Sequence, residues 1–311
     1  MSSPTHPTTG KNDELLQVCI CTHDKSEDLL SCLRALREQA ADLPIIVVDS
    51  ASSAPQRSAV KAISSTYDAK VIRLETAGLS LARNAGLAAV DSTWIAYLDD
   101  DTIPSKNWVS EARRVCAQAP SECGVIGGPV VARFPPDREV RLGKRWLQLL
   151  SVVDLPGEGD RTHAPSIVGA NVIFRSDAVR QINGFPLSLG RIGSSLLSGE
   201  EKFVLETLRS CGYRVWYSDK LKVEHCIAPE RLSRSWVIRR SYWDGASDRR
   251  IELLVGKRSS VKRHVKILLS IPVLALLYPF RTEHDFFLRF WYDLGWLRSG
   301  FIRIADGQRR L

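Results

Sequence analysis

The sequence predicts an α/β fold in which helices cover a mostly parallel central sheet. From Leu15 to about Phe134, short β-rich runs alternate with segments of helical periodicity, the pattern of strands joined by crossover helices. Hydrophobic residues make up 44% and charged residues 25% of the 311 positions, as in an ordinary globular protein. This composition argues against a disordered chain and gives no sign of a repeat array.

Five strands are predicted within this segment: Gln17–Thr22, Ile45–Asp49, Lys70–Leu74, Trp94–Asp99 and Val125–Val131. Between the first two, Leu29, Leu33 and Leu36 recur at helical spacing. Ser80 is placed to cap a helix that runs through Leu87. Because crossovers between parallel strands are right-handed, the strands should end at one shared edge of the sheet.

The pattern becomes irregular after Phe134. The predicted elements there are a strand at Val168–Phe174, a helix at Asp177–Ile182, a helical stretch through Phe203 and Leu208, and two last strands at Val215–Ser218 and Lys222–His225. A loop rich in Gly and Ser, from Pro186 to Gly199, precedes the helical stretch. A loop of that length is more often a substrate-gating element than a connector.

Polar residues follow the ends of three predicted strands. They are Thr22, His23 and Asp24 after the first strand, Asp49 after the second, and Asp99, Asp100 and Asp101 after the fourth. Open α/β sheets bind ligands at the carboxyl ends of their strands. These side chains are therefore expected to converge on a binding site.

The triplet Asp99-Asp100-Asp101 ends an apolar strand. Adjacent carboxylates repel one another, so holding them together requires a compensating cation. Mg²⁺ and Mn²⁺ suit this role, because they combine one or two protein carboxylates with substrate phosphates. On the triplet alone, a solvated acidic turn before the helix near Asn107 explains the pattern equally well.

A second acidic pair, Glu200-Glu201, follows Gly199 at the start of a predicted helix. Acids in a first helical turn commonly complement the helix dipole, so this pair alone has two interpretations. Beside a metal site, a carboxylate with a raised pKa is suited to act as a general base toward an alcohol. Glu201 is the candidate for that base.

The motifs together resemble family 2 glycosyltransferases of the GT-A fold, over roughly Leu15 to Trp243. In chain order they are Val18-Cys19-Ile20-Cys21-Thr22, Val47-Val48-Asp49-Ser50, Gly78 with Ala82-Arg83-Asn84-Ala85-Gly86, Asp99-Asp100-Asp101, Gly169-Ala170-Asn171, and Gly199-Glu200-Glu201 with Gly212-Tyr213-Arg214-Val215 downstream. Their order and spacing make the resemblance specific. It implies a nucleotide-diphosphate sugar as donor, a glycan or lipid-linked acceptor, and inversion at the transferred sugar.

The resemblance also implies roles for individual residues. Thr22 and Asp49 would bind the nucleotide base, and Arg83 would face the diphosphate, because a guanidinium suits phosphate oxygens. His23, Asp100 and Asn171 are expected to contact substrate as well. Asp101 matches the metal-binding aspartate of the family, for Mn²⁺ or Mg²⁺, with Asp99 nearer the nucleoside or sharing the metal. His225 could complete the metal or diphosphate contacts, although a lone histidine is more often structural.

Two further points concern the same site. The basic residues Arg231, Arg234, Arg239 and Arg240 follow His225, and some of them could cover the diphosphate, although a solvated basic face is the default explanation. Relatives usually have Glu-Asp where this chain has Glu200-Glu201. The presumed base is therefore one methylene longer, and which of the two glutamates faces the substrate stays open.

Charge is concentrated near the C-terminus. The chain has a net charge of +8, and its last 55 residues hold eleven Lys and Arg against four acids, so the rest is nearly neutral. This argues against a nucleic-acid-binding protein, the non-enzyme alternative. Among enzymes, the alternative is a metal-dependent nucleotidyltransferase. The Glu200-Glu201 element and the lack of a glycine-rich phosphate loop after the first strand disfavour it.

The chain is expected to divide into a disordered N-terminus (residues 1–12), a catalytic domain (13–245) and a basic, apolar helical region (246–311). The run Ile267–Phe280 is shorter than the roughly 20 residues of a membrane-spanning helix. Basic residues precede it, and aromatic and apolar residues recur at helical spacing after it: Lys257, Arg258, Lys262, Arg263 and Lys266, then Phe287, Phe290, Trp291, Leu294, Leu297 and Phe301.

This pattern predicts peripheral docking on an anionic membrane face. The alternative is a helix that packs on the catalytic domain. Seven cysteines without paired metal spacing, and an N-terminus without an apolar signal core, predict a cytoplasmic protein with reduced thiols.

Overall fold

The computed structural model describes residues 15–136, 140–163, 167–191, 195–256, 265, 267–269 and 284–300. The predicted disordered N-terminus, most of the Ile267–Phe280 run and the five basic residues before it lie outside these ranges. Within them, no helix is both long and apolar enough to span a membrane.

The described elements confirm the α/β class. The strands are β1 (Leu16–Thr22), β2 (Ile45–Ser50), β3 (Lys70–Leu74), β4 (Trp94–Asp99), β5 (Thr102–Pro104), β6 (Cys123–Gly127), β7 (Val130–Arg133), β8 (Gly159–Asp160), β9 (Asn171–Arg175), β10 (Arg214–Tyr217) and β11 (Val223–Cys226). The helices are α1 (Ser26–Arg37), α2 (Ala54–Thr66), α3 (Leu79–Ala89), α4 (Trp108–Gln118), α5 (Lys144–Leu149), α6 (Ser176–Gln181), α7 (Glu200–Ser210), α8 (Arg234–Leu254) and α9 (His284–Ser299), with a 3₁₀ turn at Pro229–Leu232.

Eight strands form the central sheet in the order β3-β2-β1-β4-β9-β6-β10-β8. The first four run parallel, β9 is antiparallel to both of its neighbours, and β10 is parallel to β6. A smaller sheet, β5-β11-β7, lies beside it. Since β1 and β4 are parallel neighbours with Cys21 opposite Asp99, the residues after these two strands meet at one edge.

Two apolar layers sandwich the central sheet because alternate strand residues face opposite sides. Val18 and Ile20 pack on the α1 and α4 side, whereas Cys19 and Val48 pack on the α3, α6 and α7 side. Gly86 of α3 lies directly over Cys19, and a Cβ there would approach the Cys19 Sγ to 2.3 Å. The small residues of the Ala82 to Gly86 motif thus bring α3 close to the sheet.

A third apolar cluster joins α5, α8 and α9. Helices α8 and α9 cross at glycines: a Cβ on Gly245 would lie 1.9 Å from the Tyr292 carbonyl, and one on Gly295 would lie 1.9 Å from the Tyr242 carbonyl. The buried face of α9 includes Leu288 and Trp296. Helix α9 therefore packs on α8. Of the predicted membrane face, Phe287 is buried, Phe290, Trp291, Leu294 and Leu297 are partly exposed, and Phe301 lies outside the described residues.

Three element predictions are corrected. The predicted strand Val125–Val131 is two strands in different sheets, because the chain turns at Gly128 and Pro129, and proline has no N–H for a ladder bond. Ser80 is not a helix cap: α3 begins after Gly78, and the Ser80 hydroxyl donates to the Leu189 carbonyl. The strand predicted from Val168 begins only at Asn171.

The predicted domain boundary at residue 245 falls inside α8, a continuous helix of 21 residues. A division of the chain there stays a prediction.

Candidate active site

A cavity of about 270 Å³ opens where β1 and β4 end. Nine of the eleven predicted site residues line it: Thr22, His23, Arg83, Asp99, Asp100, Asp101, Glu200, Glu201 and His225. They come from strand ends, from α3, from the first turn of α7 and from β11. The fold therefore brings together residues that are up to about two hundred positions apart in the sequence.

The carboxylates after β4 are buried rather than solvated. Asp100 and Asp101 are only 7% and 6% exposed. The Thr22 hydroxyl donates to Asp100 Oδ2 at 2.8 Å, and the Lys25 ammonium lies 2.7 Å from Asp101 Oδ2 and 3.5 Å from Asp100 Oδ1. The interpretation of this triplet as a solvated acidic turn is therefore wrong.

The two carboxyl groups differ in electrostatic environment. Burial and the neighbouring charge of Asp101 raise the pKa of Asp100 to about 7, although Lys25 opposes the shift. Burial also disfavours the charged form of Asp101, but the neighbouring Lys25 and Arg231 cations hold its pKa well below the usual range. Of these two carboxyl groups, Asp101 is the one that favours the ionised form.

Asp101 and His225 are the residues best placed to hold a metal. His225 is buried, and its Nδ1 lies 2.9 Å from the Leu150 carbonyl, which accepts a hydrogen bond. We therefore assign the proton to Nδ1, leaving a lone pair on Nε2, which lies 3.3 Å from Asp101 Oδ1. An oxygen and a nitrogen donor side by side suit Mn²⁺ or Mg²⁺ when phosphate oxygens and water complete the coordination.

The larger predicted metal set of Asp101, Asp99 and His225 stays a prediction, because the structure does not gather the three side chains into one group. Among the described residues, no three His, Cys, Asp or Glu side chains are close enough to share one cation. Asp99 instead lies 3.4 Å from the Arg83 guanidinium, because it is the last strand residue and turns toward α3.

Arg83 is the centre of a buried ion network. Its Nη1 donates to Glu200 Oε1 at 2.9 Å, and its Nη2 donates to Asp99 and to the Gly169 carbonyl. Burial opposes the charge, but Glu200 and Asp99 keep the Arg83 pKa above its ordinary value. Most of the Arg83 guanidinium, which is predicted to face the diphosphate, is thus already hydrogen-bonded to protein groups. Through Glu200, Arg83 also links α3 to the start of α7.

The two glutamates differ in exposure. Gly199 precedes α7 in a left-handed conformation (φ 91°), which turns the chain so that both acids enter the cavity. The Glu200 side chain is 2% exposed and bound by Arg83, whereas that of Glu201 is 22% exposed and 3.8 Å from the Arg83 guanidinium. Glu200 is therefore anchored in the protein, and Glu201 is free to meet a substrate.

The environment of Glu200 is also unusual. Its Oε2 is buried without a hydrogen-bond partner in the described part of the chain. Burial and the charge of Glu201 raise the Glu200 pKa to about 7, although Arg83 opposes the shift.

Neither Asp49 nor Asn171, both predicted to contact substrate, lines the cavity, and these contacts stay predictions. Asp49 is buried, pairs with Arg73 at 2.7 Å and accepts from the Ser52 N–H; its neighbour Ser50 faces the cavity instead. Asn171 accepts from the Trp108 indole and donates to two backbone carbonyls, Pro129 and Leu221. It fastens β9 to the turn that separates the two sheets.

Sequence reasoning missed two charged residues of the cavity, Lys25 and Arg191, and left the roles of four others undecided. Lys25 lies just after the end of β1, and Arg191 lies in the predicted gating loop. Of the four basic residues after His225, Arg231 and Arg240 line the cavity, and Arg234 and Arg239 do not. Burial and the positive charges of Arg231 and Arg240 lower the Arg191 pKa. Such clustered cations indicate an anionic ligand.

Comparison with family profiles identifies the family of the chain. The profile described as Glycosyl transferase family 2 matches residues 17–182. The chain belongs to glycosyl transferase family 2. The match spans β1 through α6 and ends before α7, so the family 2 assignment rests on the sheet and on the carboxylates after β4.

Curated relatives of this family 2 chain are about a quarter identical to it over the residues that align. A glucosyl-dolichyl phosphate glucuronosyltransferase from Haloferax volcanii is 25% identical over 190 residues, which is 60% of each protein. Succinoglycan biosynthesis protein ExoM from Rhizobium meliloti is 24% identical over 265 residues, 82% of this chain and 80% of the relative. The first match thus covers less than two thirds of that relative.

Solved structures share the fold. The mannosyltransferase PcManGT from Pyrobaculum calidifontis, in complex with GDP-Man and Mn²⁺, superposes with a TM-score of 0.58 at 16% identity, over 93% of this chain and 88% of that one. S. aureus TarS in complex with UDP-GlcNAc gives 0.57 at 16% identity, over 92% and 79%. At such identity, the likeness establishes the fold and leaves the site to its own geometry.

Proposed function

We propose that the chain transfers a sugar from a nucleotide-diphosphate sugar to an acceptor hydroxyl, with inversion, in the synthesis of a polysaccharide or glycoconjugate. One observation carries the proposal: a single cavity joins the Asp101–His225 pair to a partly exposed carboxylate, Glu201. A group that binds the leaving diphosphate and a base for the attacking alcohol are the two requirements of direct displacement.

The donor would lie along the strand ends. Thr22 and His23 line the cavity where the base and ribose are expected, and the cations Lys25, Arg191 and Arg240 face the space proposed for the diphosphate. Asp101 and His225 would hold Mn²⁺ or Mg²⁺, which supplies Lewis-acid stabilisation of the leaving group when bound. The neighbours' Mn²⁺ and nucleotide-sugar complexes support this arrangement.

The acceptor would approach the first turn of α7. Glu201 accepts the proton of the hydroxyl as its oxygen attacks the anomeric carbon, while the Arg83–Glu200 pair fixes the helix start. The extra methylene of Glu201, relative to the aspartate usual in the family, places the acceptor oxygen slightly farther from the backbone. A glycan or lipid-linked acceptor is consistent with the names of the relatives.

The test is product analysis after a screen of nucleotide sugars with Mn²⁺ and Mg²⁺. Release of a nucleoside diphosphate together with a glycosylated acceptor is expected. Release of pyrophosphate would indicate the nucleotidyltransferase alternative and overturn the proposal.

Membrane docking by the C-terminal region stays a proposal. Each of the five basic residues from Lys257 to Lys266 could contribute about 1 kcal/mol of attraction to anionic lipid. Truncation would remove α9 from α8, so the sharper variant replaces those five residues by Gln. Flotation with anionic liposomes should fall relative to the unaltered protein, and equal flotation of both would contradict docking.

A further inference from the structure

The Arg231 guanidinium bridges the two side chains assigned to the metal. Its Nη2 donates to Asp101 Oδ2 at 3.0 Å, and its Nη1 lies 2.9 Å from His225 Nε2. The side chain is 12% exposed and lines the cavity. Arg231 thus contacts both protein donors of the proposed metal site at once.

The protonation of His225 explains this contact. With its Nδ1 proton directed at the Leu150 carbonyl, the imidazole presents only a lone pair at Nε2. That lone pair and Asp101 Oδ1 lie 3.3 Å apart, and two acceptors so close need a shared electrophile. The Arg231 guanidinium, which can only donate, supplies a proton to that lone pair and another to Oδ2 of the same carboxylate, so it compensates both ligands with one positive charge, as a divalent cation would.

Arg231 can leave this position without refolding. Its main chain is held in the 3₁₀ turn, where its N–H donates to the Ala228 carbonyl and its own carbonyl accepts from the Trp146 indole. Only the side chain needs to rotate. Lys25 already contacts the same Asp101 oxygen, and Arg240 and Arg191 line the same cavity, so an added divalent cation would repel the guanidinium.

We propose that Arg231 is an exchangeable cation: it holds Asp101 and His225 in place until a divalent metal binds, then yields to the metal and pairs with the donor diphosphate. The inference rests on the proposed function, since it assumes that Asp101 and His225 bind the metal. It makes Arg231 a residue with opposite effects on the two ligands, hindering the bare metal and aiding the diphosphate.

The test measures Mn²⁺ binding in the absence of nucleotide, with the concentration of free Mn²⁺ monitored by electron paramagnetic resonance. Arg231→Gln should bind Mn²⁺ at least about tenfold more tightly than the unaltered protein, a factor equivalent to one charge-assisted hydrogen bond. Arg234→Gln, outside the cavity at the start of α8, is the matched control and should leave the affinity unchanged. Asp101→Asn should lose the Mn²⁺ signal change.

A second arm measures inorganic pyrophosphate binding at saturating Mn²⁺ by calorimetry. Here Arg231→Gln should bind more weakly, because the released guanidinium is missing. Unchanged or weaker Mn²⁺ binding by Arg231→Gln would overturn the exchange while leaving the metal site standing. Absence of Mn²⁺ binding in every protein would overturn the exchange and the metal assignment together, whereas sugar transfer is scored separately by product analysis.

Discussion

The cavity has two walls that are built in different ways. The strand wall, Thr22 with Asp99 to Asp101, follows directly from two adjacent parallel strands. The helix wall, Glu200 and Glu201 with Arg240, depends on contacts across the fold: the Ser198 N–H donates to the Ser247 hydroxyl of α8. One wall is set by sheet register, and the other is set by how α8 packs.

This difference predicts a division of labour. The strand wall holds buried carboxylates paired with cations, which suit the proposed diphosphate and metal. The helix wall carries Glu201, which is more exposed than Glu200. Changes to the strand wall should therefore affect donor binding, and changes to the helix wall should affect transfer with the donor still bound.

The largest effect is expected for Asp101→Asn. The amide keeps the size of the side chain but loses the negative charge that pairs with Lys25 and would hold the proposed metal, so turnover should fall by about 1000-fold or more. Transfer assayed at saturating Mn²⁺ and Mg²⁺ measures this, and near-normal rates in both would remove Asp101 from the mechanism.

Glu201→Gln should lower transfer by about 100- to 10,000-fold, the usual contribution of a general base. Glu200→Gln is the matched control on the same helical turn and should be milder, because an amide oxygen can still accept from Arg83. Steady-state transfer rates decide between them. An active Glu201 variant beside an inactive Glu200 variant would reverse the assignment of the base.

A smaller effect is expected at the contact between α9 and α8, the helix that carries Arg240 of the helix wall. Gly295→Ala places a Cβ 1.9 Å from the Tyr242 carbonyl, so α8 and α9 must separate, at a cost of about 1–3 kcal/mol in the free energy of unfolding. Gly300→Ala is the control, since its nearest heavy atom lies at 3.2 Å. Chemical denaturation compares the two variants, and equal stabilities would show that the helix contact is not tight.

The smallest effect concerns pH. The folded Glu200 pKa of about 7 exceeds the ordinary value of 4.5, so its protonated form stabilises the fold below about pH 4.5, and this contribution is lost as the pH rises through about 7. As the pH rises through that window, the free energy of unfolding of the unaltered protein should fall, relative to that of Glu200→Gln, by at most about 1.4 kcal/mol per pH unit. Asp100 titrates in both proteins, so its contribution cancels when their unfolding free energies are subtracted.

Unfolding free energies at several pH values between 5 and 7.5 measure this slope. A difference between the two proteins that does not change with pH would contradict the raised pKa of Glu200.

The two walls also differ in how far the sequence predicts them. Lys70–Leu74 and Trp94–Asp99 were predicted to the residue, because alternation, apolar runs and polar strand ends are local signals. The carboxylates after β4 follow from the same signal. The Glu200-Glu201 pair is also visible in the sequence, at a predicted helix start, but the difference in burial between the two glutamates depends on Arg83 of α3 and cannot be read from the local sequence.

The contacts that the sequence does not predict have the same origin. Asn171 sits in a family motif, yet its amide joins Trp108, Pro129 and Leu221, three distant groups that no spacing reveals. Arg231 was one of four candidate cations, and only the fold distinguishes it from Arg234. Long-range packing, rather than propensity, decides which polar side chain reaches the cavity.

The most direct test of the two-wall account is nucleotide-sugar affinity in Glu201→Gln and Asp101→Asn, measured by calorimetry with Mn²⁺ and the donor that the product screen identifies. The account predicts that Glu201→Gln binds the donor within about twofold of the unaltered protein while transfer is lost, and that Asp101→Asn loses donor binding. Donor binding that falls with Glu201→Gln, or survives in Asp101→Asn, would contradict the division of labour between the walls.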